Sequence, residues 1–268
     1  MDLLCSPYHE RYNKGVHKTC FSKTQLINIC RSLNIPYKSS NSKDELWNII
    51  NNEMFTKYSC SKGNEHCWLD TLNIHNSPSH RPKKPDSWKQ NKYTWLTNFD
   101  LLNVMLQYEK KYKSFKFIGV FPIDFNQCNN YNTFSKELCN INIMKFKQYQ
   151  FGIIFNLDKH DEPGSHWVCV YTNTNSNSSN FGFYFFDSNA LPMPVEIKDL
   201  SNSIKKQVNH PQFQILENNK RKQFKNTECG MFCLHFIIQC LKKKPFKEII
   251  SQKCFDDDIH KLREKYFR

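Results

Sequence analysis

The chain has 268 residues, of which 39% are hydrophobic and 15% aromatic, including 22 Phe; that is enough for a packed core and excludes disorder throughout. The formal net charge is +13 and is spread, with 14 Lys+Arg against 8 Asp+Glu over residues 1–92 and 24 against 17 over 93–268, which favours acidic partners or nucleic acid without choosing between them. No apolar stretch reaches the roughly 18 residues a membrane helix needs, and the opening MDLLCSPYHERYNKG lacks the basic start and apolar centre of a signal peptide, so a soluble intracellular protein is expected.

In such a compartment the twelve cysteines are expected as thiols, several of them small core residues and one or two chemically special. Two capping boxes come first along the chain. Ser22-x-x-Gln25 opens LINICRSL and Ser42-x-x-Glu45 opens LWNIINNEM, each with apolar residues at helical spacing. The pair, with NIPYKSSN between, predicts a small helical domain over 1–75 that loosely resembles the helical pair of SAP-type DNA-binding modules. Cys60 and Cys67, with His66 between them, suggest zinc, but Cys-x6-Cys is not a usual knuckle spacing and a clear second pair is missing; no metal is expected. The proline-rich NSPSHRPKKPDSWKQNK (76–92) reads as a linker.

After it, TNFDLLNVMLQYEKKY predicts an amphipathic helix starting near Thr97 or Asn98. The period then changes. FGIIFNL (151–157), HWVCVYT (166–172), FGFYFFDS (181–188) and FQIL (213–216) are short aromatic and β-branched runs bounded by turn residues, as strands are. PVEIKDLSNSIKKQVN (194–209) reads as a helix with Pro194 in its first turn, and the tail from Phe246 as helical. The class is α+β: a central mixed sheet packed by helices over 93–268, beside the small helical N-terminal domain.

QFKNTECGMFCLHF (223–236) carries the chemistry. Cys229 stands where a polar loop becomes an apolar run, at the mouth of a buried helix whose free N–H groups and dipole favour a thiolate. Gly230 keeps the attacked face open, and His235 within the run is scaffold. The nucleophile needs an imidazole from elsewhere in the fold. His166 opens a predicted strand, and Asp187 ends the next one; if the two pair antiparallel, Asp187 lies beside His166 and can hold its tautomer. Gln223, just upstream, can donate to an oxyanion together with the Cys229 backbone N–H.

The order His166-Trp167, Asp187-Ser188, Gln223-x5-Cys229-Gly230 resembles the Ulp/SENP and adenain-type cysteine proteases of clan CE, as does WLTNFDLLNVML (95–106), similar to the family's opening Trp-Leu-x-Asn segment. Within that family the chain is similar to the branch of polyprotein-processing proteases of African swine fever virus and other large DNA viruses. NTECGMFCLHFI and the N-terminal EHCWLD (65–70) carry that second likeness. The resemblance implies a papain-like, Ulp-type catalytic domain without cofactor, with Cys229 as nucleophile, His166 as proton carrier, Asp187 as its orienter and Gln223 in the oxyanion hole. It further implies cleavage after Gly-Gly in a tunnel between two indoles, for which Trp95 and Trp167 are the substrate-binding candidates. The substrates implied are viral polyproteins or capsid and scaffold proteins, cut in the virion or the host cytoplasm. Two other readings stand beside it: a deSUMOylase-like isopeptidase, and a nucleic-acid-binding protein with an incidental triad, which salt-dependent DNA binding would reveal.

Overall fold

A computed structural model describes residues 5–9, 19–74, 77–127 and 136–268. The chain divides into two compact units, Met1–Lys84 with Glu264–Arg268, and Pro85–Arg263.

In the first unit both capping boxes form. Ser22 caps α1 (Lys23–Ser32) and Ser42 caps α2 (Lys43–Lys57), each with the reciprocal bond from Gln25 or Glu45. A third helix, α3 (Glu65–Thr71), is capped by Asn64. Phe21, Leu26, Ile29, Leu46, Ile50, Met54, Trp68 and Leu69 form the core. Two features depart from expectation. Cys5–Cys20 and Cys60–Cys67 are disulfides, and Cys139 of the second unit is disulfide-bonded as well; Cys30, Cys169, Cys229, Cys233, Cys240 and Cys254 are free. A small unit buries little apolar surface, and cross-links offset that by restricting the unfolded chain. The segment 76–92 is also not a plain linker. Ser77, Ser79 and His80 are buried, and the backbone of Pro82 and Lys84 bonds to Arg268, drawing the last five residues out of the expected 93–268 domain. Phe267 is fully buried there, which is the apolar reward for that return.

The second unit is a five-stranded mixed sheet in the order β1 (Phe115–Pro122), β2 (Gln150–Asn156), β3 (Trp167–Asn173), β4 (Gly182–Phe186) and β5 (Gln214–Glu217). The outer pairs are parallel and the β2–β3 and β3–β4 pairs antiparallel. Strand β1 was not among the expected runs, because its register shifts between Phe117 and Gly119, which breaks the alternation a strand announces. One face of the sheet packs Phe155, Val168, Val170, Phe183 and Phe185 with Ile197, Leu200 and Ile204 of α5 (Val195–Val208). The other receives α6 (Cys229–Leu241), where Phe186 stacks on Phe236 at 4.8 Å. Burial on both faces explains why β3 and β4 read as unbroken apolar runs. Helix α4 (Asn98–Lys111), started by a Thr97–Asp100 capping box, packs on β1 and α6. Two short helices, α7 (Phe246–Ser251) and α8 (Asp256–Lys261), follow. No helix among the described residues is long and apolar enough to cross a membrane.

Candidate active site

The antiparallel pairing of β3 with β4 sets Cys169 opposite Phe186, so the residue before one strand meets the residue after the other. His166 and Asp187 are those residues. His166 Nε2 and Asp187 Oδ1 are 2.6 Å apart. The preceding turn fixes the histidine: Asn156 Oδ1 accepts from Asp158 N and Ser165 N, and Leu157 N donates to His166 O at 2.9 Å. At Gly164, φ is +94° and an added Cβ would lie 2.8 Å from Asn156, so both backbone and space call for glycine.

Asp187 is buried, yet none of its polar atoms is stranded. Its carboxylate accepts from Asn189 N at 2.9 Å and Leu191 N at 3.0 Å besides the imidazole, while Asn218 pairs with its backbone in both directions, at 2.8 and 2.7 Å. A carboxyl group so held presents a fixed oxygen that orients the ring at Nε2.

Cys229 is the first residue of α6 and is almost wholly buried. Its sulfur acts on the His166 ring in the direction that favours a positive charge there, and Asn189 Nδ2 lies 3.4 Å from His166 Nε2. Burial lowers the imidazole pKa, but the bonds from Asp187 and Cys229 outweigh it, and the pKa rises to about 9. No side chain caps the start of α6, which leaves backbone N–H donors there for a developing oxyanion. Added to Gly230, a Cβ would come within 3.3 Å of Leu96, Leu101 and Trp167, so glycine lets the helix start close against those residues.

Gln223 is buried in the loop before α6, with its carboxamide held at both ends. Ser188 Oγ donates to Oε1 at 2.6 Å, and Nε2 donates to Lys225 O at 2.6 Å, which leaves one N–H of that amide for another acceptor. Ser188 O also accepts from Lys222 N and Gln223 N, tying the loop to the residue next to Asp187. Trp167 donates its indole N–H to Leu96 O at 3.1 Å, whereas Trp95, next to Leu96, is half-buried. His235 is half-buried.

Sequence reasoning missed the supports behind these groups. Glu228, beside Cys229, is a buried carboxylate paired with Arg263 Nε and His260 Nδ1, both at 2.9 Å. Arg263 also donates to the carbonyls of Lys92, Thr94 and Thr227, joining the chain before Trp95 to the start of α6. The one sequence signal was an acid at the mouth of an otherwise apolar helix; its partner lies 35 residues away.

No family model matches the chain. Over 186 residues it is 32% identical to a protein named as a thiol protease of Acanthamoeba polyphaga mimivirus, a match covering 65% of this chain and 57% of the relative. It is 26% identical over 186 residues to a SUMO-1 cysteine protease of African swine fever virus, covering 65% of this chain and 67% of that protein. The chain thus spans little more than half the length of the mimivirus relative. The crystal structure of the African swine fever virus protease superposes with a TM-score of 0.67 at 18% identity, over 98% of this chain and 95% of the other, a likeness of fold. The chain is thus similar in sequence to viral cysteine proteases of mimivirus and African swine fever virus, and it shares the α+β fold of the latter.

Proposed function

We propose that this chain is a cysteine endopeptidase that cleaves after Gly-Gly and processes viral structural polyproteins during particle maturation. The observation that carries the chemistry is the 2.6 Å His166–Asp187 bond on a ring that Cys229 also engages. The Cys229 thiolate attacks the scissile carbonyl carbon. Negative charge moves to the carbonyl oxygen, which the Cys229 N–H and the remaining Gln223 N–H stabilise. The His166 imidazolium gives its proton to the leaving amine as the C–N bond breaks, leaving a thioester. Neutral His166 then takes a proton from water, whose oxygen attacks the thioester, and the thiolate is released. Asp187 keeps the ring in register throughout.

Gly-Gly selectivity rests on the family resemblance and on the tryptophans. Trp167 is fixed through Leu96 O and Trp95 adjoins that residue, so a slot between their indoles would exclude side chains larger than hydrogen. The charge of +13 supports a contact with nucleic acid in the particle. A second reading, an isopeptidase acting on ubiquitin-like conjugates, is favoured by the SUMO-1 cysteine protease name of the swine fever relative. The test is cleavage of a peptide library varied around Gly-Gly, next to a folded ubiquitin-like fusion. Polyprotein processing predicts turnover of short Gly-Gly-Xaa peptides and heavy loss on changing either glycine to alanine. Turnover of the folded fusion alone supports the isopeptidase, and equal turnover of Ala-Gly peptides rejects the tunnel.

A further inference from the structure

The first unit holds a second group of reactive side chains, unrelated to the triad. Cys5, Cys20, Glu65 and His80 come from four separate points of the chain and are all buried. Ligand atoms of Cys20, Glu65 and His80 lie within 4.8 Å of one another, and Cys5 is bonded to Cys20. An antiparallel bridge between Cys5 and His80, with Ser6 N donating to Ser79 O at 2.8 Å, fixes the fourth residue beside the other three.

A fully buried carboxylate–imidazole pair adds little net stability, because desolvation offsets the attraction. Here it is nonetheless closely oriented. Glu65 Oε1 accepts from Trp47 Nε1 at 2.7 Å, and Oε2 from Cys20 N and His80 Nε2, both at 3.0 Å. His80 Nδ1 meets Ser77 Oγ at 3.0 Å and Ser79 Oγ at 3.1 Å. A hydrogen-bond acceptor on the far nitrogen fixes the ring and tautomer of a metal-ligating histidine, and a serine hydroxyl can be such an acceptor.

We propose that Cys5, Cys20, Glu65 and His80 form a zinc site that opens when the Cys5–Cys20 disulfide is reduced. A dithiol breaks the S–S bond and is itself oxidised to a disulfide, leaving two thiols. Zinc displaces their protons to solvent. The Nε2 proton of His80 transfers to Nδ1, where the serine hydroxyls accept it, and the Nε2 lone pair turns to the ion. The set is two thiolates, one imidazole and one carboxylate, all ligands zinc takes in tetrahedral sites. Its net charge is −1, and the neighbouring cation is Arg268, a buried guanidinium that also pairs with Asp70 at 3.1 Å. The oxidised form keeps the same segments joined by a covalent bond, so the unit is cross-linked in either redox state.

The test uses the full chain carrying Cys229→Ala, Cys60→Ser and Cys67→Ser, which removes the nucleophile and the other dithiol of this unit. Zinc alone, or cobalt alone, is added before and after reduction, and bound metal is counted after gel filtration. About one ion per chain is expected in the reduced protein and none in the oxidised one. Cobalt should show a thiolate charge-transfer band with the intense visible bands of tetrahedral coordination. Adding Cys5→Ser and Cys20→Ser should abolish uptake, and His80→Gln should weaken it at least tenfold. Should those variants unfold, the cobalt spectrum of the parent decides alone. Equal uptake in both redox states, no uptake after reduction, or a cobalt spectrum without a thiolate band would overturn the proposal.

Discussion

Each unit of the molecule buries a histidine against a carboxylate, and the two pairs behave oppositely. His166 with Asp187 at 2.6 Å has its pKa raised to about 9, whereas His80 with Glu65 at 3.0 Å has its pKa lowered. Burial is the largest influence on both and pulls both down. The difference lies in the remaining neighbours: Cys229 adds a second stabilising partner to His166, while Arg268 opposes a positive charge on His80. Pairing a buried imidazole with an acid therefore does not by itself set the direction of its pKa; the depth of burial and the other charged neighbours count as well.

Removing the sulfur breaks the comparison most completely. Cys229→Ala should abolish peptidase activity with the fold retained, measured by peptide turnover and thermal unfolding. A variant with substantial residual turnover would mean another nucleophile. Removing the carboxylate comes next. In Asp187→Ala the burial influence on His166 loses its main opponent, so the ring should titrate like His80, below its usual range, and kcat should fall further than in Asp187→Asn, whose amide still holds the ring. Gln223→Ala should lower kcat by roughly 10²–10³-fold with KM little changed; an effect confined to KM would make Gln223 a substrate contact instead.

The smallest effect on catalysis belongs to the other pair. His80→Gln should leave kcat near its original value wherever the protein is folded, while altering how stability depends on acid. The signs oppose each other. A raised pKa, as at His166, stabilises fully below the unfolded value near 6.5 and is lost as pH rises through about 9. Lowered values, as at His80 and at His66, which burial brings down to about 4, stabilise above roughly 6.5 and are lost as pH falls below it. Unfolding midpoints across pH should thus decline on both sides, and His80→Gln should flatten the acid side alone.

The sequence made the strands legible wherever aromatic runs ended at turn residues, and it set His166 and Asp187 at strand ends that meet if the strands pair antiparallel, as they do. It hid β1, whose register shift at Gly119 erases the alternation. It also hid the groups that hold the site. Ser188, Asn218 and Arg263 act through contacts 31 to 35 residues distant along the chain, and no local pattern encodes such contacts. The thiol expectation failed for Cys5, Cys20, Cys60 and Cys67 because pairing depends on which chain segments meet, not on cysteine spacing. The linker reading failed for a related reason: Ser77, Ser79 and His80 look like turn residues until their partner Glu65 is in view.

The central claim is that Asp187 and Cys229 together raise the pKa of the His166 ring. The most direct measurement is the NMR titration of the His166 ring in the parent protein and in Cys229→Ala. The account predicts a midpoint near 9 in the parent and a clear downward shift when the sulfur is removed. A parent midpoint at or below the ordinary histidine value of about 6.5, unchanged by the substitution, would contradict it.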